Sequence, residues 1–260
     1  MPMTHTLKGI VRYDGTDFCG WQRQDNGRTV QEELEKAFST IANEAITIHG
    51  AGRTDAGVHA LGQVFSCSWP RAINPRLRHA VSTMLEPEIQ VIRLEEAAAD
   101  FHARFAAQSK RYAYNLSFNH DVDPLAARYV WNVPFDVDLD CLRRLLPQLV
   151  GTHDFAGFQS TGHQLSTTVR TLYSVELFHG VAVGPMDGQH LWRIEFHGDG
   201  FLYKMVRNLT GTLIEIARGR FPESFLEEQL HTAKVFYGHC APAHGLTMVE
   251  VLYDEHPAIK

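Results

Sequence analysis

Several common protein classes need features that this sequence lacks. Its four cysteines, Cys19, Cys67, Cys141 and Cys240, are scattered through 260 residues with no CxxC pair. Neither a disulfide framework nor a thiolate zinc site is indicated, and reduced thiols of a cytosolic protein are expected. No apolar run reaches the length of a membrane span, and the opening MPMTHTLKGIVRYDG has no signal-peptide core. The expectation is therefore a cytoplasmic protein with no membrane contact. GxSxG, GxxxxGK[ST], HExxH and a strand-linked GxGxxG are all missing, which removes the main support for hydrolase, NTPase, zincin and dinucleotide readings. There are 15 histidines, but the densest group, His239, Cys240 and His244, has no ligand spacing, so no metal is expected. Positive charge is also in deficit, 24 Lys and Arg against 30 Asp and Glu, for a net charge of −6. That excludes a protein that coats nucleic acid indiscriminately but not one with a local basic site.

What is present fits a globular chain with a full core, 44% hydrophobic and 21% charged, long enough for one large domain or two ordinary ones. The charges are sorted along it. Basic residues gather at 71–78, at Lys110-Arg111 and at 201–208, and acidic ones at 32–35, 136–140 and 223–228.

Periodicity divides the chain into two similar halves. LKGIVRY (7–13) alternates as a strand, with Leu7, Gly9, Val11 and Tyr13 on one face. Thr29-Val30-Gln31-Glu32 is a capping-box signature for a helix whose stripe is Val30, Leu34, Phe38 and Ile41, its acids outward. Short strands are expected near 46–50 and 62–68. A helix from Asn74-Pro75 with Leu77, Val81 and Met84 on one face follows, then a strand from Ile89 to Leu94. In the second half, strands are expected at 111–118, 168–178, 190–197 and 246–253. Helices are expected at 139–150, at 201–218 with Leu202, Val206, Leu209, Leu213 and Ile216 inward, and at 223–233. Both halves read β-α-β-β-α-β. The prediction is an α+β protein with two ferredoxin-like halves, mainly antiparallel sheets, and a central active-site cleft between domains 1–105 and 106–260.

Chemistry has few candidate carriers. Asp55 sits in AGRTDAGVHA (51–60), where Gly52 and Gly57 free the backbone to turn sharply or approach a ligand. On the local sequence alone, a tight turn with Asp55 capping an N–H accounts for it more simply than a poised acid. Tyr112 follows Lys110 and Arg111 and alternates with Tyr114, Leu116 and Phe118, as a core residue would. Lys204 and Arg207 stand three apart on a predicted helix, where a solvated face explains them equally.

Taken in order, YDGTDFCGWQRQ (13–24), RTVQEELEKAF (28–38), GRTDAGVHALGQV (52–64), DFHARFAAQSKRYAYNL (100–116), GTHDFAGF (151–158), GDGFLYKMVRNLTGTL (198–213) and APAHGLTMVEV (241–251) resemble the successive motifs of the tRNA pseudouridine synthase A family. The resemblance covers nearly the whole chain, and GRTDAGVHA is its most specific part. It implies an isomerase that converts uridine to pseudouridine at positions 38, 39 and 40 of the tRNA anticodon arm, detaching the uracil and rejoining it through carbon. No metal or organic cofactor is implied. Asp55 matches the catalytic aspartate, and Arg207 the basic partner that keeps an acid ionised. Tyr112 matches the active-site tyrosine that packs on the target base, and Leu246 the apolar residue on the base's other side. Arg53 matches an arginine close to the RNA. Given that family, Arg71, Arg76, Arg78, Lys110 and Arg111 are expected to track phosphates, with solvated surface as the plain alternative. Related enzymes form homodimers on tRNA, so tRNA and a second copy of the chain are the expected partners, and DNA is not. Thr247 departs from the bulky residue common after Gly-Leu. Two other readings are a sister synthase with a different RNA target and a non-catalytic RNA-binding module.

Overall fold

The computed structural model of the chain describes residues 4–118, 121–160, 167–183, 188–232 and 239–253. They fall into two compact units, one running to Gln108 and resuming at Thr247, the other running from Ser109 to Leu246.

The first unit runs β1 (His5–Tyr13), α1 (Val30–Ala42), β2 (His49–Gly50), β3 (His59–Trp69), α2 (Leu77–Leu85) and β4 (Ile89–Ala97). β1 lies between β3 and β4 and is antiparallel to both, while β2 pairs antiparallel with β3. This is the β-α-β-β-α-β order expected. The alternation in β1 is as read, since Leu7, Gly9, Val11 and Tyr13 are buried and Arg12 is exposed. Thr29 caps α1 by accepting from the Glu32 N–H at 3.4 Å. Phe38 packs edge-on against Phe65 at 5.5 Å and Trp69 at 6.0 Å, joining the helix to β3.

Three details differ from expectation. Ile41 is only half-buried, and Ala37 and Ala42 complete the stripe of α1. Glu35 does not turn outward. It is buried, accepts from the Ile48 N–H at 3.1 Å and pairs with Arg23 at 3.3 Å. In α2 the inward positions are Leu77, Val81 and Leu85, and Met84 is 49% exposed. That helix begins at Leu77, two residues after Pro75, because Asn74 first closes a turn through the Leu77 and Arg76 N–H groups.

The second unit runs β5 (Ser109–Phe118), β6 (Trp131–Val133), α3 (Leu139–Leu145), a 3-10 segment (Leu146–Leu149), β7 (Gly151–Asp154), β8 (Val169–His179), β9 (Leu191–Gly198), α4 (Met205–Ala217) and α5 (Ser224–Thr232). β9 lies antiparallel between β5 and β8, β7 pairs with β8, and β6 runs parallel beside β5. The expected helix 139–150 tightens into 3-10 geometry where Pro147 removes an N–H. β6 and β7, of three and four residues, are too short to show a period. α4 starts at Met205 and not at Phe201, because Lys204 has φ 59, a left-handed conformation that a helix cannot contain. Its inward residues, Leu202, Val206, Leu209, Leu213 and Ile216, are all buried as read. Residue 233, at the end of the expected helix 223–233, lies outside the described residues. The final strand, β10 (Leu246–Leu252), pairs in parallel with β3, placing Thr247 opposite His59 and Met248 opposite Ala60. The architecture is α+β with mainly antiparallel pairing.

The corrected face of α2 gives a direct contrast. Leu85→Ala should cost about 2–5 kcal/mol of stability by cavity formation. Met84→Ala, on the exposed side, should cost under about 1 kcal/mol. Paired urea denaturation curves measure both.

Candidate active site

Asp55 is held in its loop by backbone, from two directions. Its carbonyl accepts from Val58 N–H at 3.1 Å, closing the turn, and Gly57 takes φ +77 within it. From the other side comes the segment after β1. The Trp21 N–H donates to the Thr54 carbonyl at 3.0 Å, and the Gly57 N–H donates to the Phe18 carbonyl at 3.3 Å. The Tyr13 hydroxyl meets Thr54 Oγ1 at 2.8 Å, and burial pushes that phenol far above its usual range. Approach this close needs glycine. A Cβ on Gly20, whose φ is +92, would lie 2.6 Å from the Thr54 carbonyl oxygen, and one on Gly15 would overlap the Val58 carbonyl. His59 follows in β3, buried, with Nδ1 accepting from the Gly15 N–H at 3.0 Å and Asp14 Oδ1 at 3.1 Å from the same nitrogen. Asp55 itself is half-buried, in reach of a partner yet fixed at its backbone.

Arg53, two residues earlier, is exposed, but its guanidinium is held. Nε donates to Gln22 Oε1 at 3.1 Å. Gln22 Nε2 in turn donates to Gln31 Oε1 at 2.7 Å, an oxygen that also accepts the Arg23 N–H at 2.9 Å. Gln31 Nε2 donates to the Ile48 carbonyl at 2.9 Å and to Glu35 Oε1 at 3.2 Å. Backbone groups on both sides of the Gln31 amide fix which way it faces, the Arg53 donor does the same for Gln22, and donation runs in one sense from Arg53 through Gln22 and Gln31 to Ile48.

In the second unit, Tyr112 lies on β5 opposite Phe196 of β9, 7% exposed, with its ring 4.9 Å from that of Phe201 in an edge-on arrangement. The core reading of this residue is therefore correct as far as burial goes. Lys110 and Arg111 are half-buried and pair across to Gly198 and His197. Arg207 projects from the first turn of α4, with Nε donating to the Ala241 carbonyl at 2.8 Å while the Ala241 N–H donates to the Arg207 carbonyl at 3.1 Å. The same segment abuts the helix at Gly211, where any Cβ would overlap the His239 carbonyl. Downstream, Tyr114 donates to the Pro242 carbonyl at 2.6 Å, and Gly245 passes 2.7 Å from the Tyr114 ring at its would-be Cβ. Burial raises the Tyr114 phenol well above its usual range, and Arg207 partly offsets this. Burial and the Arg207 charge lower His244, against a raising contact from the Val130 backbone. Leu246 follows directly, 6% exposed.

The basic residues divide. Arg71 donates to the Ala42 carbonyl at the end of α1 and lies over Trp69 at 5.7 Å, which makes it a structural strut. Arg78 is exposed but reaches the Val91 carbonyl at 3.3 Å, and Arg76 is exposed at the start of α2. Among the described residues, no group of three or more His, Cys, Asp or Glu side chains is arranged to hold a metal ion.

A family model described as tRNA pseudouridine synthase matches residues 10–106 and 146–254. The chain belongs to that family. A tRNA pseudouridine synthase A of Streptococcus suis is 40% identical over 253 residues, covering 95% of this chain and 98% of its own length. One from Streptococcus mutans is 39% identical over 251 residues with the same coverage. Among solved structures, a Cbf5-Nop10-Gar1 complex matches 94% of this chain and 48% of that chain at 11% identity and TM-score 0.42, and the family assignment does not rest on it. The synthase model spans Arg53, Asp55, Arg76, Arg78, Arg207 and Leu246, while Lys110, Arg111 and Tyr112 fall between its two matched stretches.

Sequence reasoning missed Gln22 and Gln31. Both stand within quoted motifs, yet a glutamine carries no local sign of its partner. Gln31 was legible only as a helix residue, and its amide became informative once α1 and Ile48 were placed together. Because Gln31 is buried, Gln31→Leu should leave the Ile48 carbonyl and Arg23 N–H without that partner and cost about 1–3 kcal/mol. Gln22→Met, at the exposed end of the same chain, should cost under about 1 kcal/mol. Urea titration of the two variants checks this order.

Proposed function

We propose that this synthase isomerises uridine to pseudouridine in the anticodon arm of tRNA, at positions 38, 39 and 40, with Asp55 as its catalytic carboxylate. The observation that carries the reading is the Asp55 loop. It is a half-buried acid on a backbone locked by Val58, Phe18 and Trp21, in a chain of this family. A reaction that breaks C1′–N1 and forms C1′–C5 needs an ionised group held still at one sugar or base atom, not a mobile one. The balance is internal. The hydrogen on C5 leaves to solvent, N1 gains one, and nothing is oxidised or reduced, so the chain's own residues suffice.

The other roles follow the same reading. Tyr112 and Leu246 take the faces of the uracil, and the tyrosine hydroxyl is the proton-handling group. Arg207 is the balancing positive charge, with its guanidinium plane fixed by Ala241. Arg53, aimed by Gln22, holds the nucleotide out of its stack. Arg76, Arg78, Lys110 and Arg111 meet the RNA backbone. A homodimer working in the cytoplasm on tRNA completes the proposal. A sister synthase with another RNA target is the second reading, because target choice resides in the surface that receives the RNA and Asp55 serves either.

The test is tritium release from tRNA carrying 5-tritiated uridine, in EDTA. Wild type should release tritium. Asp55→Ala should bind tRNA and lose turnover by orders of magnitude, and Tyr112→Phe should bind and turn over more slowly. Substantial release by Asp55→Ala would remove it as the catalytic group. Replacing Arg76 and Arg78 together by Ala should reduce the slope of log affinity against log salt by about one for each phosphate these arginines neutralise. An unchanged slope takes both residues off the RNA path.

A further inference from the structure

Exposed apolar side chains are ordinary on a protein surface, and among the described residues six large ones are exposed. Phe105 is different. It is 77% exposed, the highest among the large exposed hydrophobics of the described residues, and it terminates a series of rings. Its ring lies 4.4 Å from that of His102 at an interplanar angle of 36°, and His102 lies 5.1 Å from His49 at 31°. The Arg104 guanidinium carbon stands 5.7 Å from the Phe105 ring centre. Three rings inclined to one another, with a guanidinium near the last, give a surface whose outermost ring is largely exposed.

The backbone beneath is not loose. The Ala103 N–H donates to Ser66 Oγ at 3.0 Å, the Ala103 carbonyl accepts from the Tyr253 hydroxyl at 2.8 Å, and the Ala106 N–H donates to the His102 carbonyl at 3.0 Å. Phe101 packs on Tyr253 at 5.3 Å, and Lys8 lies over both rings. His102 Nδ1 accepts the Arg104 N–H at 3.1 Å, which fixes the ring's rotation. Burial and the neighbouring His49 lower the pKa of His102, offsetting the raising effect of its backbone contact. A neutral imidazole stacks as an aromatic. The loop therefore pins its backbone and presents Phe105 outward, forgoing the burial that a hydrophobic side chain would ordinarily seek.

We propose that His49, His102 and Phe105, with Arg104, form a stacking platform for an unpaired nucleobase of the RNA substrate. The inference rests on the reading that the substrate is tRNA and adds a contact that chemistry at Asp55 does not require. A flat open ring flanked by a guanidinium matches how single-stranded nucleic acid is held, bases on aromatic faces and phosphates on arginine. A helical stretch of tRNA has its bases already stacked, so the occupant is a base in a loop.

The experiment measures the affinity of the full-length protein for a tRNA transcript across a salt series. It compares wild type, Phe105→Ala, Phe105→Trp and Arg104→Ala, with the oligomeric state of each read by sedimentation. Stacking is insensitive to salt. Phe105→Ala should therefore weaken binding about ten- to a hundredfold at every salt concentration with an unchanged slope, and Phe105→Trp should restore affinity. Arg104→Ala should lower the slope by about one. Unchanged affinity in Phe105→Ala overturns the platform, as does a loss that accompanies dissociation of an oligomer, which would make the patch a protein contact. Wild-type tritium release, measured in parallel, separates these outcomes. Its absence, with no tRNA binding, sinks the substrate reading and the platform together, whereas its presence beside an unaffected Phe105→Ala sinks the platform alone.

Discussion

The first unit depends on backbone running against backbone between the segment after β1 and the aspartate loop. Gly15 faces the Val58 carbonyl and Gly20 the Thr54 carbonyl, at separations that no side chain tolerates. Gly20 also takes a positive φ that other residues enter only with strain. Once the two segments approach this closely, the Trp21 and Gly57 N–H groups find carbonyls across the gap, and the loop no longer relies on its own turn. The carboxylate of Asp55 then inherits a position from main chain, the least mobile material available. An acid on a long side chain or a free loop would lose that freedom only when substrate arrives, at an entropic cost to the reaction.

The second unit repeats the device with different residues. Gly211 lets the segment 239–241 lie directly on α4, and the close approach is what brings the Ala241 carbonyl to the Arg207 Nε. Two residues of the same short segment, Ala241 and Pro242, thus fix an arginine on the helix and a tyrosine on β5. Gly245 then clears the Tyr114 ring so that the chain can enter β10 at Leu246. In both units the groups proposed for chemistry hang from places where glycine has let two stretches of backbone touch.

How much of this the sequence showed follows from the range of each interaction. β1, α4 and the capping of α1 by Thr29 were readable because alternation, helical period and caps are local. The burial of Glu35 was not, since its partner, the Ile48 N–H, is supplied by a segment the helix pattern says nothing about. The same holds for the pairing of β10 with β3, a contact between residues nearly two hundred positions apart that the order of elements did not indicate. Met84 and Leu85 lie on either side of the line through Leu77 and Val81, so helical period alone admits either and the packing decides for Leu85. For the site, GRTDAGVHA identified Asp55 through family resemblance, but on local grounds a tight turn was the simpler account. The structure contains that turn, with Val58 closing it. A tight turn and the acid proposed for catalysis are compatible with one arrangement, which is why local sequence could not choose between them.

Charge shows the same limit from another side. A net charge of −6 says little about RNA binding, because many arginines are already matched to carboxylates. Arg28 pairs with Glu33 and Glu88, Arg144 with Glu223, and Arg218 and Arg220 with Glu215. Those pairs orient the guanidinium and weaken its field together, with Glu215 shared between two arginines. Arg53 and Arg78 are held otherwise, by the neutral oxygens of Gln22 and of the Val91 carbonyl. A neutral acceptor fixes the direction of a guanidinium while leaving its full charge to act on something else. Such an arrangement suits an arginine meant for an external anion, and it costs little because the side chain stays in water on its other face. Arg53 is thus pre-oriented in a loop that also carries Asp55, so the group proposed to hold the nucleotide and the group proposed for chemistry are placed by the same backbone.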